Sequence, residues 1–182
     1  LYPSDLELCK EANPELKNII EGNEEYIDTI CQHIQPHGEC KEYYEKNGQL
    51  YDQKYYKEGK VCGEYKSWYS NGQLQVQKYY KDGKENGECK GFHTNGKLLY
   101  HKYYKDGKLH GECRYWYKNG QLYYQRFYKE GKLDGEYKEL YDNGQLCCQT
   151  YYKDGERHGE YTSWYFDGLL CGKLWYENGQ LL

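Results

Sequence analysis

The residues that could do chemistry are nine cysteines, six histidines and a glutamate that recurs at fixed spacing. Cysteines hold metals or pair as disulfides, and here the spacing argues against both. No two stand as Cys-x-x-Cys, the arrangement that grips zinc or runs thiol exchange. Cys89 and Cys113 are 24 residues apart and occupy equivalent places in a repeat. If each repeat is two strands, they lie about 9.6 Å apart, beyond the ~7 Å between Cα atoms that a disulfide spans. Cys40, Cys62, Cys147, Cys148 and Cys171 find no disulfide partner under the same pairing rule. Unpaired thiols imply a reducing compartment. His110 and His158 share a repeat position but fall about 19 Å apart, and His33 and His37 flank a proline in a connector. The glutamates Glu39, Glu64, Glu88, Glu112, Glu136 and Glu160 are in register. A catalytic pair is singular and sits in a pocket, so their repetition marks structure. A phosphate loop needs a strand, a Gly-rich turn and a helix, and the repeats offer no helix. The sequence therefore reads as non-catalytic, with no cofactor and no metal.

The elements that position these residues follow from an internal period. Asn-Gly or Asp-Gly recurs at 47–48, 71–72, 95–96, 119–120, 143–144 and 167–168, and a second Asp/Glu/Asn-Gly series runs from 58–59 to 178–179, each at a step of 24. A third glycine opens each unit. The units are 38–62, which holds one extra residue, then 63–86, 87–110, 111–134, 135–158 and 159–182. In the second unit the signature is Gly63, Asn71, Gly72, Leu74, Tyr80 and Gly83. A glycine every dozen residues or fewer excludes helix, since each costs about 1 kcal/mol there. Asn-Gly between β-rich runs predicts a two-residue type I′ hairpin turn, and the second series joins one unit to the next. The expected fold is an all-β, single-layer antiparallel meander of about twelve strands from six 24-residue β-hairpins, with a small helical N-terminal cap.

A two-residue turn sets the pairing: position 7 of a unit faces 12, 6 faces 13, 2 faces 17, and 1 faces 18. Gly63 then faces Tyr80, whose ring covers the gap the glycine leaves; a bulge at the glycine is the alternative. One face carries Tyr69, Leu74 and Tyr80, and the other carries Trp68 and Tyr79 with their equivalents. Both faces are striped by aromatics, half wet through their polar ends.

Composition agrees. Mean hydropathy is −1.22, yet 18% of residues are aromatic, with 26 tyrosines; a disordered chain is poor in aromatics. No apolar run approaches the ~18 residues of a membrane span, and no signal peptide is evident. The chain begins at Leu1 and contains no Met, so a preceding N-terminal piece is expected. Residues 1–37 hold eight acids and two lysines, a net of −6, and 38–182 hold 23 bases and 21 acids, a net of +2. Neither is a nucleic-acid footprint.

The runs Tyr-Tyr-Lys-Asp-Gly-Lys, Gly-Glu-Tyr-Lys and Asn-Gly-Gln-Leu resemble MORN-type repeats, above all the second MORN variety of bacterial antitoxin-like repeat proteins and of large DNA viruses of amoebae. The resemblance covers residues 38–182. It implies a non-catalytic hairpin array serving protein–protein interaction and assembly, such as a structural or minor capsid component of a large DNA virus, in the host cytoplasm or the virion. The alternatives are an antitoxin or immunity-type protein neutralising a toxin, and a lipid-surface binder, disfavoured by the near-neutral charge. The last unit departs from the pattern: Leu174 and Trp175 replace the usual Lys-Tyr, and the chain closes on Leu181-Leu182. An apolar sheet edge recruits another chain, so Leu174, Trp175, Leu181 and Leu182 are the candidate partner contacts, with another protein, a capsid or assembly protein, or a second copy as occupant. Residues 1–37 read as a helical cap, with starts at Ser4, Asn13-Pro14 and Asn23; the run 13–20 also resembles the tail of an F-box-like domain.

Overall fold

Alternating apolar and polar residues between close-set turns leave the chain one regular option, antiparallel pairing of each run with the next. The computed structural model describes residues 37–182; the expected helical cap lies outside the described residues. Fourteen strands follow: β1 (Gly38–Tyr43), β2 (Leu50–Lys57), β3 (Lys60–Trp68), β4 (Leu74–Lys81), β5 (Lys84–Phe92), β6 (Leu98–Lys105), β7 (Lys108–Leu109), β8 (Gly111–Trp116), β9 (Leu122–Lys129), β10 (Lys132–Leu140), β11 (Leu146–Lys153), β12 (Glu156–Trp164), β13 (Leu170–Glu177) and β14 (Gln180–Leu181). They form one open antiparallel meander in chain order, with the short β7 paired to β6 beside β8. The excess over twelve is two fragments of two residues each: β7, cut from β8 at His110, and β14.

The type I′ turn expected at the Asn-Gly series is not found there. Type I′ geometry belongs to the linking series: Asp82 and Gly83 have φ of 52° and 78°, and the other five links repeat this pair of positive angles. At the Asn-Gly series only the glycine is left-handed. In the second unit the Gly72 N–H donates to the Tyr69 carbonyl and the Tyr69 N–H to the Gln73 carbonyl, both at 2.8 Å. This is a type I turn closed by a glycine bulge, the three-residue hairpin solution. The asparagine side chain causes it. Asn71 Oδ1 accepts the Gln73 N–H at 3.1 Å, which fastens Asn71 in the right-handed region. Asn71 Nδ2 also donates to the Thr94 carbonyl in the next unit, at 3.1 Å. Tyr69 Oη reaches the Phe92 carbonyl at 2.7 Å. These struts recur between later units, as at Tyr117 to Leu140 and Asn119 to Asp142.

The longer turn shifts the register near it. Gly63 faces Tyr80 and Glu64 faces Tyr79 as expected, but Trp68 faces Leu74 rather than Gln75. Directly opposed residues share a face, so Leu74 lies with Trp68 and Tyr79, not with Tyr80. The unit-opening glycine is at an irregularity: Gln53 pairs with Lys66 and Tyr55 with Cys62, leaving Gly63 in a bulge. Gly63 has φ of 76°, and a Cβ there would meet nothing within 4 Å. Backbone conformation, not an aromatic lid, is why glycine stands there. A glycine that is covered sits elsewhere. A Cβ on Gly91 would lie 2.3 Å from the ring of Tyr100, its cross-strand partner.

Burial separates the two faces. One carries most of the buried residues, Asp52, Ser67, Cys89, Cys113, Cys148 and Thr150, with Thr162 alone on the other, and no large side chain among the described residues is wholly enclosed. Cations fill the spaces between tyrosines on this face. Lys78 Nζ is 4.9 Å from the Tyr65 ring centre and 5.1 Å from that of Tyr80. Lys102 lies between Tyr100 and Tyr115 at 4.2 and 4.9 Å, Arg126 between Tyr124 and Tyr137 at 3.7 and 4.9 Å, and Arg157 between Tyr161 and Tyr176 at 5.1 and 5.4 Å. Burial works against the Lys78 charge, yet Glu85 and Tyr80 hold its ammonium above the ordinary range. Burial, with Asp52 beside it, pushes the Tyr65 hydroxyl up to about 12.

Candidate functional site

The opposite face is built from the residues that alternate with this ladder. In each of the first five units the Glu at the second position is held by the cation two residues on: Lys66 to Glu64 at 2.7 Å, Lys90 to Glu88 at 2.7 Å, Arg114 to Glu112 at 2.7 Å and Lys138 to Glu136 at 2.8 Å are typical. Lys66, then Gln77, hold the Glu64 carboxyl below the usual range, and Lys90 with His101 does the same for Glu88. The expected ladder of glutamates is therefore real and its groups are engaged with one another. Opposite these Glu residues stand aromatics of the facing strand: Tyr79, Tyr103 and Tyr151 are 38%, 40% and 47% exposed, and Phe127, opposite Glu112, is half-buried.

The sixth unit breaks the pattern. The place of the cation is taken by Thr162, which is buried and donates to Glu160 Oε1 at 2.6 Å. The position-15 glutamine becomes Lys173, 2.7 Å from the same carboxylate. An open depression of about 770 Å³ lies at this point, with Thr162 in its lining, Trp164 and Leu170 at one end, and Tyr151 and Glu136 along its side. The strand register builds it: Gln149, Thr162 and Lys173 form one row across β11, β12 and β13, and Trp164 faces Leu170.

Of the contact residues expected from the sequence, Trp175 shares the face of the depression, and Leu174 and Leu181 lie on the other face. Leu174, Trp175, Leu181 and Leu182 are 44%, 54%, 58% and 72% exposed. Trp175 faces Glu160, Leu174 faces Tyr161, and the Leu182 N–H donates to the Trp175 carbonyl at 2.9 Å. The expectation did not include Tyr165, Phe166, Leu169 and Leu170, which are exposed in the same hairpin. The signature residues of the second unit are placed as turn and strand residues: Gly63 at the bulge, Asn71 and Gly72 at the turn, Leu74 opposite Trp68, Tyr80 opposite Gly63 and beneath Lys78, and Gly83 in the link.

Among the described residues, no group of three or more His, Cys, Asp or Glu is placed to hold a metal, and no helix is long and apolar enough to cross a membrane. Cys62, Cys89, Cys113, Cys147, Cys148 and Cys171 are free thiols. Burial, then Glu139 and Cys147, push the Cys148 thiol up to about 11; burial also raises Cys89 and Cys113. The thiolate is the reactive form. Alkylation of the native chain at neutral pH should label exposed Cys171 at least tenfold faster than Cys89, Cys113 and Cys148. The unfolded, unreduced chain should titrate nine thiols; a count of seven or fewer would show a disulfide.

An open, one-sheet array of repeated hairpins with stacked turns defines the class, a β-hairpin repeat module. The chain belongs to the MORN repeat variant family, which matches at residues 61–82, 85–106, 109–130 and 133–154. Each copy spans one hairpin and ends on the first residue of the link that follows. No curated protein matches the chain. Among solved structures the chain is similar to the one described as the crystal structure of TarM, at 14% identity over 73% of this chain and 24% of that one, with a TM-score of 0.25. The chain thus spans about a quarter of that protein's length, and at this level the likeness bears on neither fold nor function.

Proposed function

We propose that the chain is a non-catalytic protein–protein interaction and assembly module whose contact surface is its last hairpin. One observation carries this reading. Of the fourteen large hydrophobic side chains exposed in the sheet, eight lie between Tyr165 and Leu182. They lie on both faces of the hairpin, Trp175 with Glu160 and Leu174 with Tyr161; exposed apolar surface gathered in one element marks an interaction site, and Trp and Tyr lead among the side chains that carry interface energy. The family supports a repeat module that binds proteins or membranes, and the near-balanced charge favours a protein. The free thiols support a reducing compartment. Neither a virus-particle role nor toxin neutralisation is favoured by any of these residues.

The test is Trp175→Lys. Burial of a Trp at an interface centre is worth about 2 kcal/mol or more, so association should weaken roughly thirtyfold while far-UV circular dichroism stays unchanged. Sedimentation velocity reads a second copy, and affinity capture compared between wild type and variant reads a different protein. Equal association by the two chains in both measurements would place the contact elsewhere.

A further inference from the structure

Repetition in this sheet serves the scaffold, so the place where one unit abandons the pattern is informative. In the units before it, a long cation stands at this place, paired with its Glu: Lys66, Lys90, Arg114 and Lys138. Thr162 removes that side chain, and the depression opens there. The charges around it are spent. Glu160 is paired with Lys173 at 2.7 Å and also accepts from Thr162, while Glu136 is paired with Lys138 at 2.8 Å and accepts from Gln149 at 2.9 Å. An occupant that brought a net charge would find no counter-charge free in these pairs. What remains is two aromatic side chains, Trp164 and Tyr151, the apolar Leu170, and hydrogen-bonding capacity left on Lys173, Gln149 and the carboxylates. A few convergent polar groups around apolar walls make a small-ligand site.

We propose that this groove is a subsite for a neutral saccharide. A hexose ring is uncharged, presents a C–H face to an aromatic ring, and carries hydroxyls around its rim that both donate and accept. The same face extends the site. Tyr103, Phe127 and Tyr151 occupy one repeat position, one every two strands, or about 9.6 Å apart. Two rings of an extended β-linked glycan advance by about that distance, so a linear chain can meet successive aromatics as it leaves the groove. The ligand class is therefore a neutral β-linked glycan rather than a free monosaccharide.

The experiment is calorimetric titration of the full chain with chitohexaose and cellohexaose, each beside its disaccharide. At least one hexamer should bind saturably and at least tenfold more tightly than its disaccharide. Thr162→Lys restores the residue type that four other units carry there, so it preserves the fold while filling the groove; it should weaken binding at least tenfold. Trp164→Ala should do the same. Thr162→Lys leaves Trp175, Leu181 and Leu182 in place, so protein association should survive it, which separates this site from the protein contact. Absence of saturable binding by either hexamer at millimolar concentration would overturn the proposal, as would wild-type affinity in Thr162→Lys. Loss of protein association in Thr162→Lys with no glycan binding would assign the groove to the protein partner instead.

Discussion

Replacing Arg126 with Met is expected to destabilise the sheet by about 1–3 kcal/mol, because the guanidinium lies between two rings and each such contact is worth about 0.5–2 kcal/mol. Met keeps the apolar stem that packs against Tyr124 and deletes the charge. Arg126 is also the start of a polar chain: its Nη2 donates to Tyr137 Oη at 3.4 Å, and Tyr137 Oη donates to Glu139 at 2.7 Å. Burial opposes the Arg126 charge while Tyr137 and Tyr128 favour it, so removing the charge also recovers some desolvation cost. That recovery holds the loss below that of a fully enclosed ion pair. A thermal melt should fall by about 2–4 °C per kcal/mol for a chain of this size. Arg126→Lys should restore most of the loss, since Lys78 and Lys102 fill the same position in earlier units. An unchanged melt for Arg126→Met would remove the cation ladder as a source of stability.

Gly91→Ser should cost about 1–3 kcal/mol through overpacking. The backbone of Gly91 is not left-handed, so strain in φ is not the cause; the new Cβ would stand 2.3 Å from the Tyr100 ring. The ring has little freedom to retreat, because it packs on Tyr115 with centres 5.4 Å apart and under Lys102 at 4.2 Å. Other units balance the same pair differently: Ser67 faces Val76, and Ser163 faces Gly172. Gly91→Ser combined with Tyr100→Val copies the Ser67–Val76 pair and should be more stable than Gly91→Ser alone. Additive losses in a double-mutant cycle would contradict a direct clash.

The meander was legible because positive-φ turn residues recur at one step and leave room only for short strands. The turn types were not, since Asn-Gly suits both geometries and the choice rests on Asn71 bonding Gln73 and Thr94. That single misassignment displaced Leu74 to the wrong face, as one residue of slip does in any sheet. Lys78 and Arg126 escaped notice for a different reason. A lysine between tyrosines in a polar strand has the pattern of a solvated side chain, and only the packing of adjacent units shows that rings enclose it. The groove was invisible because it depends on what Thr162 lacks. Trp175 and the terminal leucines could be singled out, since apolar residues replacing Lys-Tyr in a repeat are visible without coordinates.

Every contact described here runs between a unit and its immediate neighbours, so the sheet behaves as a one-dimensional array. Amide hydrogen exchange on the wild type and on Arg126→Met tests this directly. Exchange should accelerate in β8 to β11, which flank Arg126, and remain at wild-type rates in β2 to β4. Equal acceleration in β2 to β4 and β8 to β11 would contradict the account and mean that the sheet opens as one indivisible unit.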